Sequence, residues 1–155
     1  MGLEKGPFVV AKSVSVEGDP YNPDTQGVIL LPTDGSFVDV LTIDVCVKQP
    51  LKTRVIIDSM TQIAVITADG TFEVKYELLR KSSGNSDVLA TINDEMDYQI
   101  TNLRRHTNFP NFPIVDKNPS HGINTYVLRC TDLKCMIEFP PRVASRSLKA
   151  TVITL

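Results

Sequence analysis

Tryptophan is absent, and Phe and Tyr raise the aromatic fraction only to 6%, which speaks against a lectin face that stacks sugars on exposed rings. Histidine is almost as scarce. His106 and His121 stand alone, in neither an HxxxH nor an HxH arrangement, so no catalytic base or metal centre is expected. The glycines are isolated and build no phosphate loop. No run of one charge occurs: 16 Lys and Arg face 18 Asp and Glu, a net charge of -2. A nucleic acid or an anionic membrane is therefore not an expected partner. No apolar stretch reaches the roughly 18 to 20 residues needed to cross a bilayer, so no membrane insertion is expected. Met1 to Gly6 carries Glu4 and Lys5 with no apolar segment behind them, unlike a secretory signal, and synthesis in a cytoplasm is expected. No cofactor is expected and no enzymatic activity.

What is present is a chain of 155 residues with 42% hydrophobic and 22% charged residues, suited to one domain with a real core. Phe72, Val74, Tyr76 and Leu78 alternate with Glu73, Lys75 and Glu77, as a strand with one wet face requires. The first four are expected in the core, the other three toward solvent or a neighbour. Leu41, Ile43, Val45 and Val47 alternate likewise with Thr42, Asp44 and Cys46 before Pro50. Lys52–Asp58 and Gln62–Thr67 read as strands, the second joined to the Phe72 strand by the turn Ala68-Asp69-Gly70-Thr71 as a hairpin. Ile123–Cys130, Cys135–Phe139 and Leu148–Leu155 are further β-rich runs, the last expected inside a sheet. Ser86–Arg105 is ambiguous: Leu89, Ile92, Met96, Ile100 and Leu103 sit near helical spacing, while Met96, Tyr98 and Ile100 alternate. The strand reading is adopted.

The fold expected is all-β, an antiparallel β-sandwich of jelly-roll type with about eight or more strands and little helix. Residues 19–155 would form this single domain. Residues 1–18 form an N-terminal segment with one β-capable run, Phe8–Val16, set apart by the turn-rich Gly18–Gly27 stretch. That run is read two ways: a strand donated to a neighbouring copy, or a strand closing its own sandwich.

Cys46, Cys130 and Cys135 are odd in number, so one thiol stays over from any pairing. Cys130 and Cys135 are small apolar residues or a candidate disulfide; Cys46 is a candidate intermolecular thiol. Asp94, Glu95 and Asp97 lack the glycine and the alternation of a calcium loop and read as a solvated turn. In RHTNFPNFPIVDKNPSH, residues 105–121, Phe109 and Phe112 either plug one end of the sandwich or contact another subunit. The candidate assembly residues are thus Phe8, Val10, Val14, Val16, Phe109 and Phe112.

Phe112-Pro113-Ile114-Val115-Asp116, then Asn118-Pro119, Gly122 and Asn124-Thr125-Tyr126-Val127-Leu128, resembles the closing half of the jelly-roll exosporium and spore-surface proteins of spore-forming Firmicutes, the group that includes exosporium protein C. The likeness spans about residues 37–155 and departs from the family pattern at Cys130–Pro141 and in the N-terminal segment. It implies a structural, self-assembling homo-oligomer of a spore-surface layer or appendage, made in the cytoplasm, with other spore-surface proteins as further partners. The alternative is a ligand-binding jelly-roll module, C1q/TNF-like or lectin-like, with a loop-lined site at one end.

Overall fold

The alternating runs become strands in the computed structural model, which describes residues 6–67, 71–97 and 102–155. In chain order these are β1 (Phe8–Val14), β2 (Ile29–Leu30), β3 (Phe37–Val47), β4 (Thr53–Thr67), β5 (Thr71–Ser82), β6 (Asn85–Asp97), β7 (Arg104–Asn108), β8 (Asn111–Asp116), β9 (Gly122–Asp132) and β10 (Arg142–Thr154). A 3-10 turn, Pro50–Lys52, precedes β4. One sheet runs β1-β10-β4, with β7 and β8 along the far side of β4 and β2 on β10; the other runs β3-β9-β5-β6. Every pairing is antiparallel. Two such sheets, each interleaving strands distant in sequence, make a jelly-roll sandwich.

Period two places the core. Phe72, Val74, Tyr76 and Leu78 of β5, Tyr126 and Leu128 of β9, and Ile43 and Val45 of β3 meet Val55, Ile57, Ile63, Leu148 and Ala150 of the other sheet. Glu73, Lys75 and Glu77 take the opposite face but are half-buried rather than open, because Lys75 lies 3.5 Å from Glu77 and Lys134 3.9 Å from Glu73. Val74→Ala should therefore cost about 1–3 kcal/mol through lost burial and a residual cavity, and Lys75→Ala close to nothing, in paired urea titrations.

Several local readings are corrected. Gln62–Thr67 and the Phe72 strand are no hairpin: β4 and β5 lie in different sheets, and both bury one face toward the same interior, so their patterns match without their backbones pairing. The expected strands Lys52–Asp58 and Gln62–Thr67 merge, from Thr53 on, into one strand, β4. Cys135–Phe139 is not a strand; the buried Asp132 carboxylate accepts the backbone N–H groups of Lys134 (3.0 Å), Cys135 (3.2 Å) and Met136 (2.8 Å) and curls the chain into a tight loop. Ser86–Arg105 is extended through Asp97, paired along β5, with Leu89, Ile92 and Met96 packed on the core. Residues 68–70, Tyr98 and Ile100 lie outside the described residues.

Phe109-Pro110 interrupts an edge rather than capping an end. β7 pairs with Ile63–Thr67 and β8 with Val55–Met60 of the same strand, and the N–H of Thr61 donates to Pro110 O across the break at 3.2 Å. Proline has no N–H to give a ladder and is tolerated at such an edge. On the opposite side β1 pairs with β10 of its own chain from Phe8↔Val152 to Val14↔Arg146. The Gly18–Gly27 stretch packs onto β7: the Tyr21 and Thr107 hydroxyls are hydrogen-bonded, and the Arg105 guanidinium lies 4.8 Å from the Tyr21 ring centre.

Candidate assembly surfaces

The residues able to do chemistry are dispersed. His106, half-buried on β7, lies with its ring 6.4 Å from that of Phe72, whereas His121 is exposed ahead of β9. Strand alternation separates Asp94 from Glu95: Glu95 is exposed, while Asp94 is half-buried and accepts from Asn108 Nδ2 at 2.6 Å. Burial raises the Asp94 carboxyl above its usual range against the opposing pull of Asn108 and His106. The Asp97 side chain lies outside the described residues. Among the described residues no three His, Cys, Asp or Glu side chains converge as metal ligands do.

All three thiols are free. Cys130 is fully buried on β9, in register with Val38 on one side and Tyr76 on the other. Cys135 is half-buried in the Asp132 loop at φ +53°, and Cys46 is exposed on β3. The candidate pair Cys130 and Cys135 is thus unjoined here, because the inward register of β9 commits Cys130 to the core. Burial pushes the Cys130 thiol up to about 12 from an ordinary 9.0. At pH 8 and at concentrations low enough to keep the chain dispersed, iodoacetamide should label Cys46 and leave Cys130 unmodified until the protein unfolds, as peptide mass spectrometry would show. The raised thiol also sets a pH trend: above pH 9 the unfolded chain releases this proton while the folded chain keeps it, so its contribution to stability declines as pH rises toward 12.

The six candidate assembly residues divide. Val10, Val14 and Phe112 pack against the core of their own chain, Phe112 edge-on to Tyr76 at 5.3 Å. The N–H of Val16 donates to Ser145 Oγ at 3.0 Å. Phe8 and Phe109 stay open, at 49% and 53% exposure.

Two buried polar clusters were not anticipated from the sequence. Arg80 Nη1 donates to both Asp116 oxygens (3.0 and 2.9 Å) and to Asn118 O, its Nη2 donates to Asp87 (2.6 Å), and the Tyr126 hydroxyl donates to Asp116 Oδ2 at 2.8 Å. Burial, with the Asp116 carboxylate beside it, drives the Tyr126 phenol far above its ordinary range. Arg146 reaches three carbonyls: Nε to Val40 (2.9 Å), Nη1 to Gly27 and Ala144 (2.8 Å each). Ladder irregularities bracket Val40 on β3 and Ala144 on β10, so the guanidinium bonds carbonyls where regular pairing breaks. Parity was the available signal, since Arg80 follows Tyr76 and Leu78, and Arg146 precedes Leu148 and Ala150, at inward positions.

Exposed apolar side chains lie singly along the strands and edges, at Val9, Val88, Phe109 and Val115, and in groups at the two ends of the sandwich. Where β9 stops and β10 starts, the Asp132 loop presents Leu133 and Ile137, the latter 83% exposed. The N–H of Leu133 donates to Glu73 O at 2.9 Å and ties the loop down. At the other end Phe8, Leu51, Ile123 and Leu155 are exposed, and a cleft of about 790 Å³ opens between the start of β1 and the ends of β3 and β10. Its wall includes Phe8, Cys46, Val47, Val152 and Leu155, with Lys48 and Gln49 just beyond β3, Thr53 of β4 and Thr154 of β10 as polar side chains.

No known family model matches the chain, and no curated protein is similar to it. Solved structures share its fold. One of infectious bursal disease virus, Gx strain, superposes with a TM-score of 0.56 at 15% identity over 95% of this chain and 32% of that one. The VP2 subviral particle of infectious bursal disease virus gives 0.51 at 16% identity over 97% and 33%. The chain spans about a third of the length of these proteins, and at such identity the likeness is one of fold.

Proposed function

We propose that this chain is a non-enzymatic structural subunit that self-assembles, and that its place is a spore-surface layer or appendage. The observation that carries the first part is the distribution of its surface: groups of exposed apolar side chains lie at both ends of the sandwich, while the buried charges are engaged in internal hydrogen bonds. Exposed apolar patches in soluble proteins mark interaction sites. The jelly-roll shared with a viral particle protein agrees with that reading. The spore surface rests on the sequence resemblance at Phe112–Leu128 alone. A ligand-binding module would need convergent polar groups in its cleft, and this cleft is walled chiefly by apolar side chains.

Negative-stain microscopy and sedimentation velocity of the purified chain at micromolar concentration should show rings, filaments or sheets; dispersed monomers of 17.1 kDa would refute self-assembly. Immunogold labelling of intact spores from the source cells tests the location separately, and label confined to the cell interior would refute it.

A further inference from the structure

The two apolar ends differ in shape and in charge. The β9–β10 end is convex: Ile137 projects from a loop pinned through the Asp132 carboxylate. Exposed Glu138 adjoins it, and the exposed Lys134 of the same loop lies 3.9 Å from Glu73, which offsets its charge. Asp34, also exposed, belongs to the neighbouring turn, in which a Cβ on Gly35 would lie 3.6 Å from Cys135 Sγ. The cleft end is concave and basic at its rim. Lys48 lines it, and exposed Lys52 stands beside it, its carbonyl accepting from the N–H of Leu155 at 2.7 Å. These ends are separated by the length of β10, whose 13 residues span about 40 Å at roughly 3.3 Å each.

Resting on the self-assembly reading, we infer that copies of this chain join end to end, the Leu133–Ile137 loop of one seated in the cleft of the next. The occupant is a second copy because the two ends complement each other and neither complements itself. Loop against cleft sets Glu138 and Asp34 opposite Lys48 and Lys52 and buries apolar surface on both sides. Cleft against cleft would oppose lysines, and loop against loop would oppose the carboxylates of Asp34 and Glu138, which exceed the charge of the one lysine, Lys134, already paired with Glu73. Such a contact is heterologous, so each added copy offers a fresh loop and a fresh cleft, and growth continues unless the rotation between copies closes a ring. Cys46, in the cleft wall, is covered in the assembled state.

The test uses the full chain. Ile137→Lys alters an exposed loop position and should keep the wild-type circular dichroism spectrum. It should sediment as a monomer at concentrations where wild type assembles, and leave Cys46 open to iodoacetamide. Lys48→Glu with Lys52→Glu should raise the concentration needed for assembly at low salt at least tenfold, and adding Asp34→Lys with Glu138→Lys to the same chain should restore it. Wild-type assembly with Cys46 still reactive, or Ile137→Lys assembling as wild type does, would overturn this contact and leave self-assembly standing. No restoration in the charge-exchanged chain would overturn the pairing of these ends. A wild-type chain that never assembles overturns the self-assembly reading itself.

Discussion

Asp116→Ala is expected to cost the fold about 3–5 kcal/mol, the range for removing one partner of a buried ion pair. Asp116 and Arg80 keep only 4% and 11% of their side-chain surface exposed. Without the carboxylate, Arg80 retains Asp87, which is half exposed, and the Asn118 carbonyl. The Tyr126 hydroxyl loses its acceptor in a fully buried position, and the Asn118 N–H loses the side-chain oxygen that closes its turn. The cluster joins β8 of one sheet to β5 and β9 of the other, so the loss falls on the contact between layers. Urea denaturation measures it. The double variant Arg80→Ala/Asp116→Ala should lose less than the sum of the two single variants, because the second deletion removes the stranded cation. Additive losses would mean that the two side chains act independently.

Arg146→Ala should cost about 2–4 kcal/mol, since hydrogen bonds from a charged donor contribute roughly 1.5–3 kcal/mol each and release from burial returns part of that. Three carbonyls from three chain segments lose a donor, including those of Val40 and Ala144 at the two ladder irregularities. Arg146→Met keeps most of the side-chain volume and isolates the hydrogen bonds from the packing. If Arg146→Met is as stable as wild type, the guanidinium fills space and nothing more.

Period-two alternation made the strands legible wherever one face is buried, as at Phe72–Leu78 and Leu41–Val47, and it placed β10 inside a sheet. It could not say which sheet a strand joins. The alternation in β4 and β5 is compatible with a hairpin or with a crossing between layers, and tertiary packing decides. The hairpin that does exist, β5–β6, turns on Ser83-Gly84, with φ of +48° and +82° between the paired Ser82 and Asn85. Ser83-Gly84 is a turn signal in the sequence, but the apolar spacing of the run that follows fits a helix as well as a strand and obscures the pairing. At the surfaces, Phe8 and Phe109 were found as exposed rings, but Phe112 belongs to the core. Ile137 was missed because Cys135–Phe139 looks like a strand until the Asp132 carboxylate is seen to hold the loop. Parity places Arg80 and Arg146 inward, but Asp116 lies 36 residues from Arg80 and the Gly27 carbonyl 119 residues from Arg146, a separation over which parity cannot name the partner.

β10 sits between β1 and β4, yet it is made after both, which matters while the chain is still being synthesised. At about 5–20 residues per second, Phe8 waits on the order of 7–30 seconds before Val152, its register partner, exists. Until then β1 and β4 each offer a bare edge to any other nascent chain, whereas β5 and β6 can close at once. The locally closed hairpin is the natural first element to persist, and β10 arrives as the strand that completes the other layer. A cell making many copies on one message would have to keep neighbouring β1 and β4 edges apart through that interval.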